Sequence, residues 1–346
     1  MNKKNTTLIL YLFAFIFFFS TAVQGQNLKK VSIGFYNLEN LFDTIDTPEV
    51  RDTEFTPSSA KAWNTQKYYE KLDNMAKVIS EIALDITPEG LAVLGVCEVE
   101  NKEVLEDLVK RPALKDRNYQ IVHYNSPDKR GIDVALIYQA SMFVPESSFH
   151  FPLTIEGKLD FYTRDQLLVN GKLLGEEVHF LVNHWPSRSG GEERSLPLRN
   201  AAGDLSRSIS NFILSMDSKA KIITMGDLND DPFNASVSEH LKATSNLQLL
   251  KENYFYNPFA LLHNPDNYGT LAYRGKWNLF DQIILTPALL KGKKNKWHFE
   301  KAFVFDADYL RNADGKYKDL PFRTYGGNTY LGGYSDHFPV YILLKR

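Results

Sequence analysis

The chain has 346 residues, with 40 lysines and arginines against 42 aspartates and glutamates and a formal net charge of −2. That balance excludes a protein that grips a polyanion by bulk electrostatics, so any nucleic-acid contact has to be local or carried by a metal ion. The only cysteine, Cys97, excludes an intramolecular disulfide and leaves stability to the core.

The first residues read as a targeting segment. Lys3 and Lys4 open it, an apolar run covers 8–19, and small residues including Ala22, Val23 and Gly25 close it. This is the three-part layout of a secretory signal peptide, 1–25, with cleavage expected after Gly25. The run is short for a span of roughly 20 residues, so no stable membrane insertion is expected after cleavage. Export to a periplasm or the medium follows. No repeat, low-complexity tract or Pro/Ser linker divides residues 26–346, which are read as one domain. Nothing in them points to a protein partner.

Runs rich in β-branched and aromatic residues predict strands at 31–36, 91–96, 119–124, 134–138, 178–182, 221–225, 280–285 and 338–344. Apolar residues at three-and-four spacing predict helices over 66–83 (Leu72, Met75, Ala76, Ile79, Ile82, Ala83) and 199–216 (Ala202, Leu205, Ile209, Phe212, Ile213). Strands with helices scattered between them predict an α/β sandwich of two sheets flanked by helices. Polar, glycine- or aromatic-rich loops are expected at 43–64, 187–197 and 309–335, and loops of that length usually line a site. The basic run 291–296 reads as a hairpin tip rather than a nucleic-acid footprint.

Polar clusters stand where strands end. Phe35-Tyr36-Asn37-Leu38-Glu39-Asn40 closes the first, Val96-Cys97-Glu98-Val99-Glu100-Asn101 the second, and Val182-Asn183-His184-Trp185-Pro186 a later one. Met225-Gly226-Asp227-Leu228-Asn229 closes another, and Tyr334-Ser335-Asp336-His337-Phe338-Pro339 opens the last. Hard oxygen ligands such as Asn37, Glu98 and Asp336 suit Mg²⁺ or Mn²⁺. Asp227 and Asn229, two apart on an extended chain, point to one side and can hold a water and a phosphate oxygen together. His184 and His337 suit a reaction that needs a base and an acid near neutral pH. Each motif alone also reads as a turn, a solvated acid or a core histidine. Five compatible strand ends in one chain carry the argument.

The series Asn37, Glu98, His184, Asp227 with Asn229, Asp281 in Phe280-Asp281-Gln282, and Ser335-Asp336-His337 resembles the endonuclease/exonuclease/phosphatase superfamily, which includes DNase I, neutral sphingomyelinases and inositol polyphosphate phosphatases. The likeness spans essentially the whole chain beyond the leader. It implies a four-layered α/β sandwich of two packed mixed sheets with the site at one edge. It also implies Glu98 as the main metal ligand, Asn37 and Asp336 near the metal or phosphate, and Asp227 and Asn229 positioning the water. Asp281 would orient His337 as general base, with Asp227 as the alternative base, and His184 would be the general acid. Arg130, Arg164 and Arg188 are candidate phosphate clamps and Asp133 a candidate orienter of His184, each also readable as a solvated loop residue.

The function these residues imply is an exported, metal-dependent phosphoesterase, with a nuclease acting on DNA or RNA as the leading substrate expectation. One alternative is a sphingomyelinase-like or small-molecule phosphodiesterase or phosphatase, for which Tyr254, Phe255, Tyr256 and Phe259 offer an apolar docking loop. The other is a catalytically inactive binding module, against which the intact acidic and histidine set argues.

Overall fold

The computed structural model describes residues 29–346 apart from Leu159 and Arg274; the leader expected at 1–25 lies outside the described residues. In chain order the strands are β1 (Lys30–Leu41), β2 (Leu91–Val99), β3 (Tyr119–His123), β4 (Asp133–Gln139), β5 (Phe143–Phe151), β6 (Gln166–Leu173), β7 (Glu176–His184), β8 (Ile222–Asp227), β9 (Ala243–Thr244), β10 (Phe255–Tyr256), β11 (Leu271–Tyr273), β12 (Lys276–Asn278), β13 (Asp281–Leu285), β14 (His298–Val304), β15 (Tyr325–Gly326), β16 (Thr329–Tyr330) and β17 (Val340–Lys345). The helices longer than a few residues are α1 (Thr65–Glu81), α2 (Lys102–Val109) and α3 (Glu192–Met216).

Two mixed sheets form from these strands. One has the order β14-β17-β1-β2-β4-β3 and the other β5-β6-β7-β8-β13-β10-β9. Their central strands carry near-continuous apolar runs because both faces are covered. Phe35 and Val96 of the first sheet and Phe180, Met225 and Ile283 of the second belong to one buried cluster. The sheets approach so closely at Gly95 that a Cβ there would sit 2.5 Å from the sulfur of Met225. With α1 and α2 beside the first sheet and α3 on the second, the expected four-layered sandwich is present.

Helix α1 begins where the Asn64 side chain accepts the Lys67 N–H, and it buries Leu72, Met75, Ala76 and Ile79 as its spacing predicts. Helix α3 starts earlier than expected, at Glu192, so most of the loop read over 187–197 is helical. Pro197 inside it cannot donate to the preceding turn. The buried Arg199 holds that turn instead, donating to Glu192 O at 3.1 Å and Ser195 Oγ at 2.8 Å. Ile209 and Ile213 pack on Leu168, Leu181 and Ile222, and burying such a side chain contributes about 1.5–3 kcal/mol. Phe212, expected on that stripe, is exposed.

Two further readings change. The basic run 291–296 is no hairpin tip, because β13 lies in one sheet and β14 in the other and the run connects them. Phe255, Tyr256 and Phe259 are buried, which removes the apolar docking loop. The long 309–335 loop folds over the sheet edge and is pinned from α1, where Lys71 Nζ donates to Thr324 Oγ1 at 2.6 Å and Tyr334 O at 3.1 Å.

Candidate active site

Register assembles one half of the site. On the second sheet Asp227 is paired with His184 of the parallel β7 on one side and with Asp281 of the antiparallel β13 on the other. Gly226 makes the β7 pairing possible, since a Cβ at that position would lie 2.4 Å from Asn183 O. Beyond β8 the chain turns through Asn229 in the left-handed region, φ +52°. The Asn229 N–H donates to Asp227 Oδ1 at 2.9 Å, and its side chain donates to Trp185 O at 2.9 Å.

The other half comes from a shift of register between β1 and β2 after the Asn37–Cys97 pair. There Glu39, Asn40 and Glu98 all take positive φ, of 46°, 51° and 58°. Non-glycine residues hold such angles only where the surroundings compel it, and they concentrate at functional sites. The irregularity brings the Asn40 N–H onto Glu98 Oε2 at 2.9 Å. Asn37 joins the sheets, donating through Nδ2 to Asp227 Oδ2 at 3.1 Å while its Oδ1 accepts the Glu39 N–H. Ser335 Oγ donates to Asn37 O and accepts the His337 N–H, which seats the last strand against the first. His337 Nδ1 then meets Asp281 Oδ2 at 2.7 Å, as the resemblance implied.

Asp227 Oδ2 therefore lies between two imidazoles, 3.6 Å from His184 Nε2 and 3.9 Å from His337 Nε2. Their environments push them in opposite directions. Burial, with the guanidiniums of Arg164 and Arg130 and the imidazole of His337, drives His184 well below the ordinary histidine value. Burial also pulls His337 down, but Asp281, by charge and hydrogen bond, with Asp227 and Asp336, more than offsets this and holds it well above. Burial, reinforced by the charges of Asp281 and Glu98, raises Asp227 to about 7 against the pull of His337 and the Asn229 N–H.

This crowding of acids is the observation that tests a metal. Glu98 Oε1 lies 3.9 Å from the same His184 Nε2 that Asp227 approaches. Ligand atoms of Cys97, His184 and Asp227, and of Asp227, Asp281 and His337, each gather within 4.8 Å. Burial pushes the Cys97 thiol far up, and its soft sulfur does not suit a hard cation. The donors left are the gathered carboxylate and amide oxygens with the neutral imidazole of His184, and oxygens in that number fit a hard divalent cation.

Not every expected residue lies here. Asp133 does not reach His184; it meets His123 Nε2 at 2.8 Å and accepts the Ser126 N–H, and His184 Nδ1 is buried without a partner among the described residues. Arg164 is buried and each of its three nitrogens is engaged within the protein, on Asp128 (3.0 Å), His184 O and Trp185 O, so it is not the phosphate clamp expected. It fixes the end of β7 instead. Arg188 likewise clamps the turn after Asp227, binding Asn229 O, Asp230 and Asn234 and lying over the Phe280 ring. Arg130 alone of the three stands half exposed at the mouth, donating to Asn40 Oδ1 at 2.6 Å with Glu98 3.5 Å away. Asp336 faces Arg323 at 3.5 Å. Sequence reading missed Asp128, His123 and the buried Glu39–Lys71 pair. Asp128 and Lys71 lie off the strand-end clusters that carried it, and Glu39, quoted within one, had no visible partner.

The chain matches the model of the Endonuclease/Exonuclease/phosphatase family over residues 32–346 and belongs to that family. It is a hydrolase acting on phosphate esters. Solved structures share the fold at low identity. A humanized D. rerio TDP2 is 14% identical with a TM-score of 0.54, covering 92% of this chain and 99% of that one. An endonuclease/exonuclease/phosphatase family protein from Bacteroides thetaiotaomicron is 16% identical with a TM-score of 0.55, covering 91% and 94%. A mannosyl-6-phosphatase from the same species is 15% identical with a TM-score of 0.54, covering 91% and 100%. No curated protein matches the chain.

Proposed function

We propose that the protein is an exported phosphodiesterase dependent on Mg²⁺ or Mn²⁺, and that single-stranded nucleic acid is its substrate. The observation that carries this is the shape beside the acids. Two cavities, of about 180 Å³ and about 560 Å³, meet along a shared wall of Arg323, Gly327 and Asp336. A phosphate held beside His337, the residue after Asp336, would face one cavity on each side of that wall, room for both substituents of a diester. The larger cavity carries the exposed rings of Tyr273 and Tyr317, and base stacking on such rings is worth about 1–3 kcal/mol each. The near-neutral net charge suits an enzyme that must release its product.

Glu98 and Asn37 would hold the cation, which supplies Lewis-acid stabilisation of charge on the phosphoryl oxygens. Asp227 and Asn229 hold the attacking water. Asp227, set between the imidazoles, takes its proton. His337 enters as the imidazolium that Asp281 maintains and donates to a phosphoryl or leaving oxygen. His184, neutral and the weaker base, accepts a hydrogen bond from the water or from protonated Asp227 and takes no proton. These roles exchange base and acid relative to what the resemblance implied, because the carboxylates gather around His337 and the guanidiniums around His184.

The test is cleavage of single-stranded DNA and RNA oligonucleotides with Mg²⁺ or Mn²⁺, quenched by chelator. Turnover of phosphomonoesters alone would move the substrate to a small molecule. Fractionation of cells bearing the full chain tests export, and retention in the cytosol would end that part.

A further inference from the structure

The smaller cavity holds the remaining unexplained chemistry. It is bounded by Glu39, Asn40, Phe55, Lys71, Tyr325 and Asp336, among others, and reaches the metal side through Asn40, whose N–H binds Glu98. Its volume of about 180 Å³ is that of roughly six waters at 30 Å³ each. One furanose or pyranose ring fits that space, with a base attached to the ring lying beyond it.

The charges lining it are balanced. Lys61 pairs with Glu54 at 2.8 Å, Arg323 with Asp336 at 3.5 Å, and the fully buried Lys71 with Glu39 at 4.0 Å. Lys71 also gives its protons to Thr324 and Tyr334. A second phosphate would therefore meet carboxylates and no uncommitted cation. Glu39 Oε2 accepts the Thr324 N–H at 2.7 Å, while Oε1 accepts no hydrogen bond among the described residues. A buried ion pair adds little net stability, so the pair's value lies elsewhere. Phe55, Trp63 and Tyr325 form an aromatic flank in which Trp63 touches the other two rings. A carboxylate with an open oxygen, the amide of Asn40 and an aromatic flank recognise a neutral ring that bears several hydroxyls.

We infer that this cavity is a sugar-ring subsite, which seats the hydroxylated substituent of the phosphate ester with Glu39 accepting from its hydroxyls. The inference rests on the diesterase reading and names what occupies one side of it. The ring can come from the ribose of a nucleotide or from a hexose, and the test separates the two.

The test uses p-nitrophenyl phosphodiesters with one leaving group and four second substituents: methyl, cyclohexyl, a hexose joined through O6, and a nucleoside joined through O5′. The wild-type protein with Mg²⁺ is expected to prefer one or both sugars over cyclohexyl, which matches their size without their hydroxyls, by at least tenfold in kcat/KM. The sugar that wins identifies the source. Glu39→Gln is expected to reduce the sugar-to-cyclohexyl ratio about tenfold, and Tyr325→Leu to reduce it as an independent check. Equal kcat/KM for sugar and cyclohexyl esters in the wild type would overturn the subsite while leaving the diesterase reading in place. Inertness toward all four would overturn both.

Discussion

Asp281→Asn probes the site at a single atom pair. The Asp281 carboxylate is fully buried and accepts from His337 Nδ1 at 2.7 Å. Asparagine keeps the size and removes the charge. A hydrogen bond to a charged group contributes about 1.5–3 kcal/mol, so kcat/KM should fall between about 10-fold and 150-fold. The pH profile carries the sharper information. Asp227 must be ionised; burial holds it at about 7 without a cation, and a bound Mg²⁺ lowers it, so the rising limb lies below 7. His337 must be protonated, which puts the falling limb well above 6.5. Loss of the Asp281 charge, which holds His337 up and also raises Asp227, should move both limbs to lower pH, the falling limb further because it loses the hydrogen bond as well. The assay is kcat/KM for a p-nitrophenyl diester across pH at saturating Mg²⁺. A profile superimposable on the wild type at full rate would refute the assignment of His337 as the charged donor.

Two reassigned arginines give contrasting expectations. Arg164→Gln leaves Asp128 buried without its partner and should destabilise the protein by about 3–5 kcal/mol, read as a fall in denaturant midpoint; a normal midpoint with a raised KM would restore Arg164 as a phosphate clamp. Arg130→Ala, at a half-exposed position on the mouth, should leave the midpoint within about 0.5 kcal/mol and raise KM several-fold. An unchanged KM would remove Arg130 from substrate binding.

The parts of the fold legible in the sequence are those whose strands are buried on both faces. The eight runs read as strands all lie on strands of the two main sheets, and seven of them lie on β1, β2, β4, β7, β8, β13 and β17, whose apolar residues are nearly continuous. The edge strand β5 escaped because Glu146, Ser147 and Ser148 interrupt it and much of it faces solvent. β6 escaped because Asn170, Gly171 and Lys172 break its run. The site was legible wherever strand register delivers a residue directly, as for His184, Asp227 and Asp281. Contacts made by side chains from distant loops were not. Asp128 reaches Arg164 across 36 positions, and Lys71 reaches Thr324 across 253; neither spacing leaves a pattern in the chain. The direction of charge on the two histidines was hidden for the same reason, since it depends on which loops fold beside each ring.

The most direct test of the central claim is a divalent-cation titration of oligonucleotide cleavage by the wild-type protein and by Glu98→Gln. The account predicts no cleavage in chelator, saturable activation by Mg²⁺ or Mn²⁺, and a midpoint shifted to at least tenfold higher cation concentration in the variant. Cleavage that persists in chelator, or a variant titration identical to the wild type, would contradict it.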